Sequence, residues 1–188
     1  MADFSGHISV KSTRSNSSYN SSVLNKEGLK LNEIKNLDEV EGVQSYATVT
    51  GILRTEDNFD GIILKGVAKD FDAERFQNFM VSGEVPKFTE EGYNNQVILS
   101  EKIADDLHLK PKDSIVAIFS KEDQQPIYRK FEVSGIYKTD IKMIDDLFVI
   151  GDINHVRKIQ EMAKTDIGGV DVFLKDSDDI DAAFPKIE

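Results

Sequence analysis

Short apolar runs that suit β-strands recur along the chain, and short helical patterns lie between them. Residues 43–53 largely alternate apolar and polar side chains, which is typical of a strand with one buried face. The apolar run at residues 97–99 is followed by Ser100, and a similar run at residues 147–150 is soon followed by Asp152. Both residue types are common helix N-caps. A mixture of this kind predicts an α+β fold.

The distribution of these patterns predicts two subdomains. Helical spacing over residues 31–40 indicates a helix that ends before Gly42, and residues 43–67 then form a predicted hairpin. The apolar spacing weakens after residue 70, where Gly83 and Pro86 interrupt it. We therefore predict a mixed helix and strand subdomain built from residues 1–68 and 147–188. A strand-rich subdomain is inserted at residues 69–146.

The net charge and the lack of cysteine exclude several kinds of function. The 188 residues carry a net charge of −11, which argues against nucleic-acid binding, because affinity for a phosphate backbone comes mainly from Lys and Arg. An anionic membrane surface is disfavoured for the same reason. The absence of cysteine excludes disulfides, thiolate metal sites and cysteine nucleophiles. No run approaches the roughly 18 apolar residues of a membrane-spanning helix.

Acidic clusters and histidines are the residues most able to form a metal or catalytic site. Residues 176–181 are rich in Asp, but Asp and Ile stand where a calcium loop needs Gly and Glu, so we interpret this cluster as a helix cap. The three histidines are far apart in sequence, and we expect His155 to face solvent from a helix. We predict no enzyme activity, no catalytic residue, no metal and no cofactor. A hydrolase that uses Asp57 and Asp60 is an alternative.

An ordered set of segments resembles a known family of transport domains. Residues 97–116 contain an apolar strand, a helix start, a Leu-x-Leu turn centred on His108, and Lys112-Asp113 before the next strand. The segments Phe-Glu-Val-Ser-Gly-Ile at residues 131–136 and Asp-Leu-Phe-Val at residues 146–149 follow in order, and two Gly-Val pairs precede them at residues 42–43 and 66–67. The set resembles the MacB-like periplasmic core domain of ABC-transporter permeases of the MacB/LolC type.

This resemblance has local departures that bear on backbone conformation. The family commonly has Gly at the places where this chain has Ser100, His108 and Lys112. Glycine often marks a left-handed backbone conformation, which His adopts more readily than most other residues. We expect the turn at His108 to be kept at a modest cost in free energy.

The resemblance implies a domain on the periplasmic side of the bacterial inner membrane, between the first two membrane helices of a permease. Its porter and sabre parts would correspond to the mixed and the strand-rich subdomains. The domain would transmit ATP-driven conformational change and engage substrate or partner proteins in efflux or export. Implied partners are its own transmembrane helices, cytoplasmic ATPase subunits, and a periplasmic adaptor or exported substrate. The parent would be dimeric, and the isolated domain monomeric.

The polar connection over residues 120–126 is the segment expected to meet a partner. We predict that Glu122, Asp123, Gln124 and Gln125 make this contact, and the competing interpretation is a solvated turn. The lipoprotein-release branch of the family uses a long apolar loop here, which this chain lacks, and that branch is an alternative. A ligand-sensing or solute-binding module with a concave pocket is another.

Overall fold

The computed structural model describes residues 2–12, 19–121 and 123–187. In these ranges the α-helices are α1 (Ala2–Ser5), α2 (Leu31–Lys35), α3 (Ala73–Phe76), α4 (Glu101–Asp106), α5 (Lys142–Leu147), α6 (Ile153–Gln160) and α7 (Ile180–Ile187). The strands are β1 (Ile8–Lys11), β2 (Leu24–Asn25), β3 (Val40–Arg54), β4 (Phe59–Val67), β5 (Met80–Gly83), β6 (Gln96–Ser100), β7 (Ser114–Phe119), β8 (Ile127–Tyr137), β9 (Phe148–Asp152), β10 (Asp166–Ile167) and β11 (Gly169–Leu174). The α+β prediction is confirmed.

Most of the strands belong to one mixed sheet. Its order is β1-β11-β3-β4-β9-β6-β8-β5, in which β4 runs parallel to β9 and β6 runs parallel to β8. Strand β7 pairs with both β3 and β8. The path β3-β4-β9-β6-β8-β7 therefore returns to β3 and closes a barrel. Strands β2 and β10 form a separate antiparallel pair.

The inside of the barrel is filled by apolar side chains from alternate positions of its strands, as the pleat of a strand requires. Phe119 is among the largest of these side chains and is fully buried. A Cβ atom at Gly51 would lie 2.6 Å from the ring of Phe119, so the glycine makes room for that ring. The other fully or nearly fully buried side chains of this layer include Ala47, Val49, Leu53, Leu64, Val97, Leu99, Ala117, Phe131, Val133 and Val149.

Helices pack on both faces of the sheet, and the buried apolar side chains of α6 belong to the same apolar cluster as the barrel interior. Helix α6 lies close against β4, because Gly66 has no side chain there: a Cβ atom would stand 2.6 Å from the Cα of Ile153. Helices α1, α3 and α5 cover the opposite side with a second apolar cluster, which is rich in aromatic rings. In this cluster the ring of Phe4 stacks on Tyr137, with centroids 5.8 Å apart, and Phe76 meets Tyr137 edge-on at 5.5 Å.

The two ends of the described chain come together at one edge of the sheet. Strand β1 pairs with β11 so that Ile8 lies opposite Val172, and the backbone N–H of Leu174 donates to Nδ1 of His7 at 3.0 Å. An ion pair between Lys186 and Glu39 holds α7 beside the start of β3. The first strand and the segment that leads into the last helix therefore lie side by side.

Several predictions about local structure are confirmed. The Ser100 hydroxyl caps α4 by accepting from the N–H of Ile103 at 3.1 Å, and the Asp152 carboxylate caps α6 by accepting from Asn154 at 2.8 Å. His108 has a φ of 55° and Lys112 a φ of 78°, so both adopt the left-handed conformation for which the family commonly uses Gly.

Two predictions about the architecture have other outcomes. The helix expected over residues 31–40 is wrong in its length: α2 ends at Lys35, and Val40 already pairs with Leu174 in the sheet. Burial of Val40 in the core outweighs its helical spacing. Strands from residues 1–68, 69–146 and 147–188 all contribute to the barrel. The division into two subdomains at those boundaries stays a prediction.

Candidate functional site

The connection between β7 and β8 is the segment that was expected to touch a partner. Glu122 lies outside the described residues, while Asp123, Gln124 and Gln125 form an exposed turn. Asp123 has a φ of 59°, and the N–H of Gln124 donates to the carbonyl oxygen of Lys121 at 3.1 Å. The three described residues therefore lie close together and are exposed to solvent. Their role in partner binding stays a prediction.

Next to this turn, the outward faces of four barrel strands, β3, β4, β7 and β8, carry an unusual set of side chains. Antiparallel pairing places Ile52 opposite Ile118, and Ile118 opposite Tyr128. The adjacent row places Phe59 opposite Arg54, Arg54 opposite Val116, and Val116 opposite Lys130. We call this set the outer patch: Ile52, Arg54, Phe59, Val116, Ile118, Tyr128 and Lys130.

The outer patch exposes large apolar groups to solvent. Phe59 is 78% exposed and Tyr128 is 60% exposed, and Ile52 and Val116 are also classed among the exposed large hydrophobic residues. Single exposed apolar residues are normal on protein surfaces. Several of them in direct cross-strand register, flanked by two cations, are instead typical of a surface that binds another protein.

A groove of 750 Å³ runs along one side of the outer patch. The turn at residues 54–58 forms one wall and the connection at residues 107–109 forms another, with Val116 and Tyr128 on the floor. The left-handed His108 ends α4 here: the backbone N–H of Leu109 donates to the carbonyl oxygen of Ala104 at 2.8 Å. The turn predicted from sequence therefore shapes one wall of this groove.

Comparison with known families decides what kind of domain carries this surface. The family model of the MacB-like periplasmic core domain matches residues 2–188. The chain belongs to this family. It is accordingly a periplasmic domain of a MacB-like ABC-transporter permease. None of the helices in residues 2–12, 19–121 and 123–187 has the length and apolarity needed to cross a bilayer.

Two solved structures share the fold of this MacB-like domain. The extracellular domain of the noncanonic ABC-type transporter YknZ from Gram-positive bacteria has a TM-score of 0.58 and 18% identity, covering 94% of this chain and 88% of that one. The periplasmic region of MacB from Actinobacillus actinomycetemcomitans has a TM-score of 0.58 and 16% identity, covering 95% and 78%. No curated protein sequence matches the chain. At these identities the structural likeness establishes the fold.

The expectation that His155 faces solvent is wrong. His155 is buried between the loop that precedes β6 and the barrel residue Phe131. Its Nε2 lies 3.0 Å from the carbonyl oxygen of Asn94, and its ring meets Phe131 edge-on at 4.9 Å. Burial lowers the pKa of His155. No periodicity on α6 itself indicates this contact, since the covering residues lie about 60 positions earlier in the chain.

Among the acidic residues of this MacB-like domain, Asp176 of the cluster at residues 176–181 caps the local backbone. The Asp176 carboxylate accepts from the N–H of Asp178 at 3.0 Å, which confirms the capping interpretation. In the described part of the chain, no three His, Asp or Glu side chains form a group suited to a metal ion. Asp57 lines the groove beside the outer patch, whereas Asp60 lies near Asp106. Burial, helped by the Asp106 charge, raises the pKa of Asp60.

Proposed function

We propose that this domain transmits ATP-driven movement from the permease's membrane helices to a partner protein during export, and that the partner binds the outer patch. The observation that carries this proposal is the path of β3. Its first half pairs with β11, which lies beside β1 and precedes α7, and its last residues pair with β7, which carries Val116 and Ile118 of the outer patch. One continuous strand of 15 residues joins the two regions.

The length of β3 sets the distance over which a movement could be transmitted through the domain. Val43 pairs with Val172 beside the chain ends, and Arg54 belongs to the outer patch, 11 positions later in the same strand. At a rise of about 3.3 Å per residue, the two positions are separated by roughly 36 Å along the strand. A movement applied at the chain ends would therefore be carried across much of the domain.

Stiffness is the second requirement of a lever, and the barrel supplies it. Closure leaves β3, β4, β7 and β8 hydrogen-bonded on both sides over part of their length, and close packing in the interior transmits strain rather than absorbing it. The segment at the chain ends is tied to the sheet by the pairing of β1 with β11 and by the ion pair of Lys186 with Glu39. These contacts support rigid-body movement of the domain.

The chemistry of the outer patch indicates the partner that it fits. Arg54 and Lys130 flank Val116 in one cross-strand row, whereas the whole chain carries a net charge of −11. A protein segment with apolar side chains bordered by carboxylates would meet both the apolar row and the two cations. We infer that the partner is a second protein of this kind, either a periplasmic adaptor or an exported polypeptide. The predicted contacts at Asp123, Gln124 and Gln125 would extend this interface.

The test uses the full-length permease in cells, together with its ATPase. A photoreactive phenylalanine analogue replaces Tyr128, and the matched control carries it at Tyr93, an exposed tyrosine outside the patch. The proposal predicts one defined adduct with a second protein from position 128, loss of that adduct when Val116→Glu is added, and none from position 93. Val81→Glu, an exposed valine on the edge strand β5, should leave the adduct unchanged.

Three results would contradict the proposal: equal adducts from both positions, an adduct that survives Val116→Glu, or an adduct only with another copy of the permease. Absence of any adduct in a transporter that still hydrolyses ATP would do so as well.

A further inference from the structure

A cavity of 270 Å³ lies on the side of the sheet that faces away from the barrel interior. Strands β1, β3, β4 and β11 form its floor, and α5 with the start of β9 forms one wall. Residues 19–22 close the cavity from another side. The cavity is separate from the outer patch, because the two lie at different positions along β3: Tyr46 and Thr48 line the cavity, whereas Arg54 belongs to the outer patch. The role of this cavity is therefore a separate question from partner binding.

A buried ion pair stands at the floor of this cavity. Nζ of Lys65 lies 2.6 Å from Oδ2 of Asp171, and the side chains are 8% and 5% exposed. The ammonium group also lies 5.2 Å from the ring centre of Phe4 and 4.8 Å from that of Tyr46. A buried pair of this kind often stabilises a fold no better than apolar residues of the same volume. Its placement at the floor of a cavity therefore points to ligand binding.

The walls divide into a hydroxyl side and an apolar side. On the hydroxyl side, Oγ of Ser9 lies 3.1 Å from the Tyr46 hydroxyl, and Oγ of Ser21 lies 3.0 Å from Oγ1 of Thr48. The apolar side is formed by α5 and β9 through Met143, Ile144 and Phe148. A ligand would thus meet polar groups on one side and an apolar surface on the other.

The charges of the lining favour a ligand that carries both signs. Lys11 and Lys65 are the cationic lining residues, and Asp171 is the acidic one among the described residues. A simple carboxylate would approach Asp171 as well as Lys65, and a simple amine would approach both lysines. A zwitterion can place its carboxylate toward the lysines and its ammonium toward Asp171, which satisfies both members of the pair.

We propose that this cavity binds a small zwitterion with an apolar side chain, such as a free α-amino acid or a dipeptide. Its carboxylate contacts Lys65 and Lys11, its ammonium contacts Asp171, and its side chain packs on Met143 and Phe148. The volume of 270 Å³ suits a ligand of this size, since sites for larger, drug-sized ligands occupy about 300–1,000 Å³.

Isothermal titration calorimetry on the 188-residue chain tests this proposal. The probes are L-leucine and glycyl-L-leucine, with isovalerate and isoamylamine as compounds that keep only the carboxylate or only the amine. The proposal predicts that at least one zwitterion binds about tenfold more tightly than either single-charge compound, the change expected when one charge-assisted contact is lost. Lys11→Glu, an exposed change at the rim, should weaken zwitterion binding.

A size change at the mouth provides a second test that leaves the ion pair intact. Met143 is partly exposed on α5, so Met143→Trp would fill the entrance and reduce affinity by about tenfold or more. Val81→Trp is the matched control on β5 and should bind as the parent protein does. The proposal is overturned if neither zwitterion binds, if the single-charge compounds bind equally well, or if Met143→Trp binds as tightly as Val81→Trp. None of these outcomes changes the cross-linking expected at the outer patch.

Discussion

Replacing Lys65 by Met tests how much the fold depends on the buried ion pair. The side chains of Lys65 and Asp171 are almost fully enclosed and their charged atoms lie 2.6 Å apart. In Lys65→Met the apolar part of the side chain remains, but the Asp171 carboxylate loses its counter-charge. Breaking a buried pair from one side lowers the unfolding free energy by about 3–5 kcal/mol. In a chain of this size, that corresponds to a decrease in Tm of about 6–20 °C, at about 2–4 °C per kcal/mol.

The pH dependence of this variant follows from the pKa of Asp171. Burial raises the pKa of the Asp171 carboxyl, and the Lys65 ammonium opposes that rise. Without Lys65 the folded-state pKa rises further above the unfolded value, so the folded variant holds a proton more tightly than the unfolded chain does. The resulting stabilisation is complete below the unfolded pKa and is lost as the pH rises through the folded pKa. The deficit relative to the parent protein should be larger at about pH 8 than at about pH 5.

Urea denaturation followed by circular dichroism at both pH values measures these changes. Lys69→Met is the matched control, because Lys69 pairs with Glu90 at the surface, where both side chains are more than half exposed. Losing that pair should lower the unfolding free energy by less than about 1 kcal/mol. The double variant Lys65→Met with Asp171→Asn should recover part of the loss at about pH 8, since no buried charge remains unpaired. A Lys65→Met deficit no larger than that of Lys69→Met would refute this reasoning.

Three further changes test particular backbone and packing features. Lys112→Gly should raise the unfolding free energy by about 0.5 kcal/mol. A left-handed Lys costs about 1–2 kcal/mol, and the greater conformational freedom of Gly in the unfolded chain cancels only part of the free energy gained by relieving that cost. An unchanged or lower urea midpoint would count against strain at this φ of 78°. His155→Gln should reduce the loss of stability expected as the pH falls below about 6.5. The folded-state pKa of His155 is depressed, so its contribution to stability is complete above the unfolded pKa and is lost as the pH falls through the folded pKa. An identical pH dependence of the unfolding free energy in parent and variant would contradict this. Gly66→Ala should lower the unfolding free energy by about 1–3 kcal/mol by overpacking against the backbone of Ile153. Calorimetry should show a matching fall in Tm, and an unchanged Tm would contradict this close packing of α6 on β4.

Features that depend on a few neighbouring residues could be predicted from the sequence. The caps at Ser100 and Asp152 require only a side-chain oxygen and the N–H groups two or three positions later. The left-handed turn at His108 was likewise predicted, because the residues around it resemble a family that commonly places Gly there. Local hydrogen bonding determines such features, so a short stretch of sequence contains the information.

Features that depend on distant contacts could not be predicted in the same way. Pairing of Ile52 with Ile118 closes the barrel across 66 positions of sequence, and no spacing within β3 or β7 specifies it. Gln44 and Tyr46 lie on the face of β3 predicted to be polar, yet both are buried, because α1 and α3 cover that face. The burial of His155 has the same origin. Tertiary packing determines the strand pairing and the burial in these cases, and the pattern of a single strand or helix contains no information about that packing.

The candidate surface was predicted only in part. The turn at residues 120–126 was recognised from its polar composition, but the adjoining outer patch was not. The sequence contained one sign of this patch, a break in the alternation of apolar and polar residues: Ile52 precedes the buried Leu53 and therefore occupies the face that should be polar. An apolar residue on the outer face of a strand is uninformative alone. It becomes informative once the register aligns Ile52, Ile118 and Tyr128 across three strands.

The central claim is that the region beside the outer patch moves when the transporter binds ATP. Because the chain has no cysteine, Ser120→Cys places a single spin label in this domain, at an exposed position just after β7. In the permease dimer that the family resemblance predicts, double electron–electron resonance then measures the distance between the two labels in the full-length transporter with its ATPase. The account predicts that the distance distribution shifts between the nucleotide-free and the ATP-bound transporter. An unchanged distribution in a preparation that hydrolyses ATP normally would contradict it.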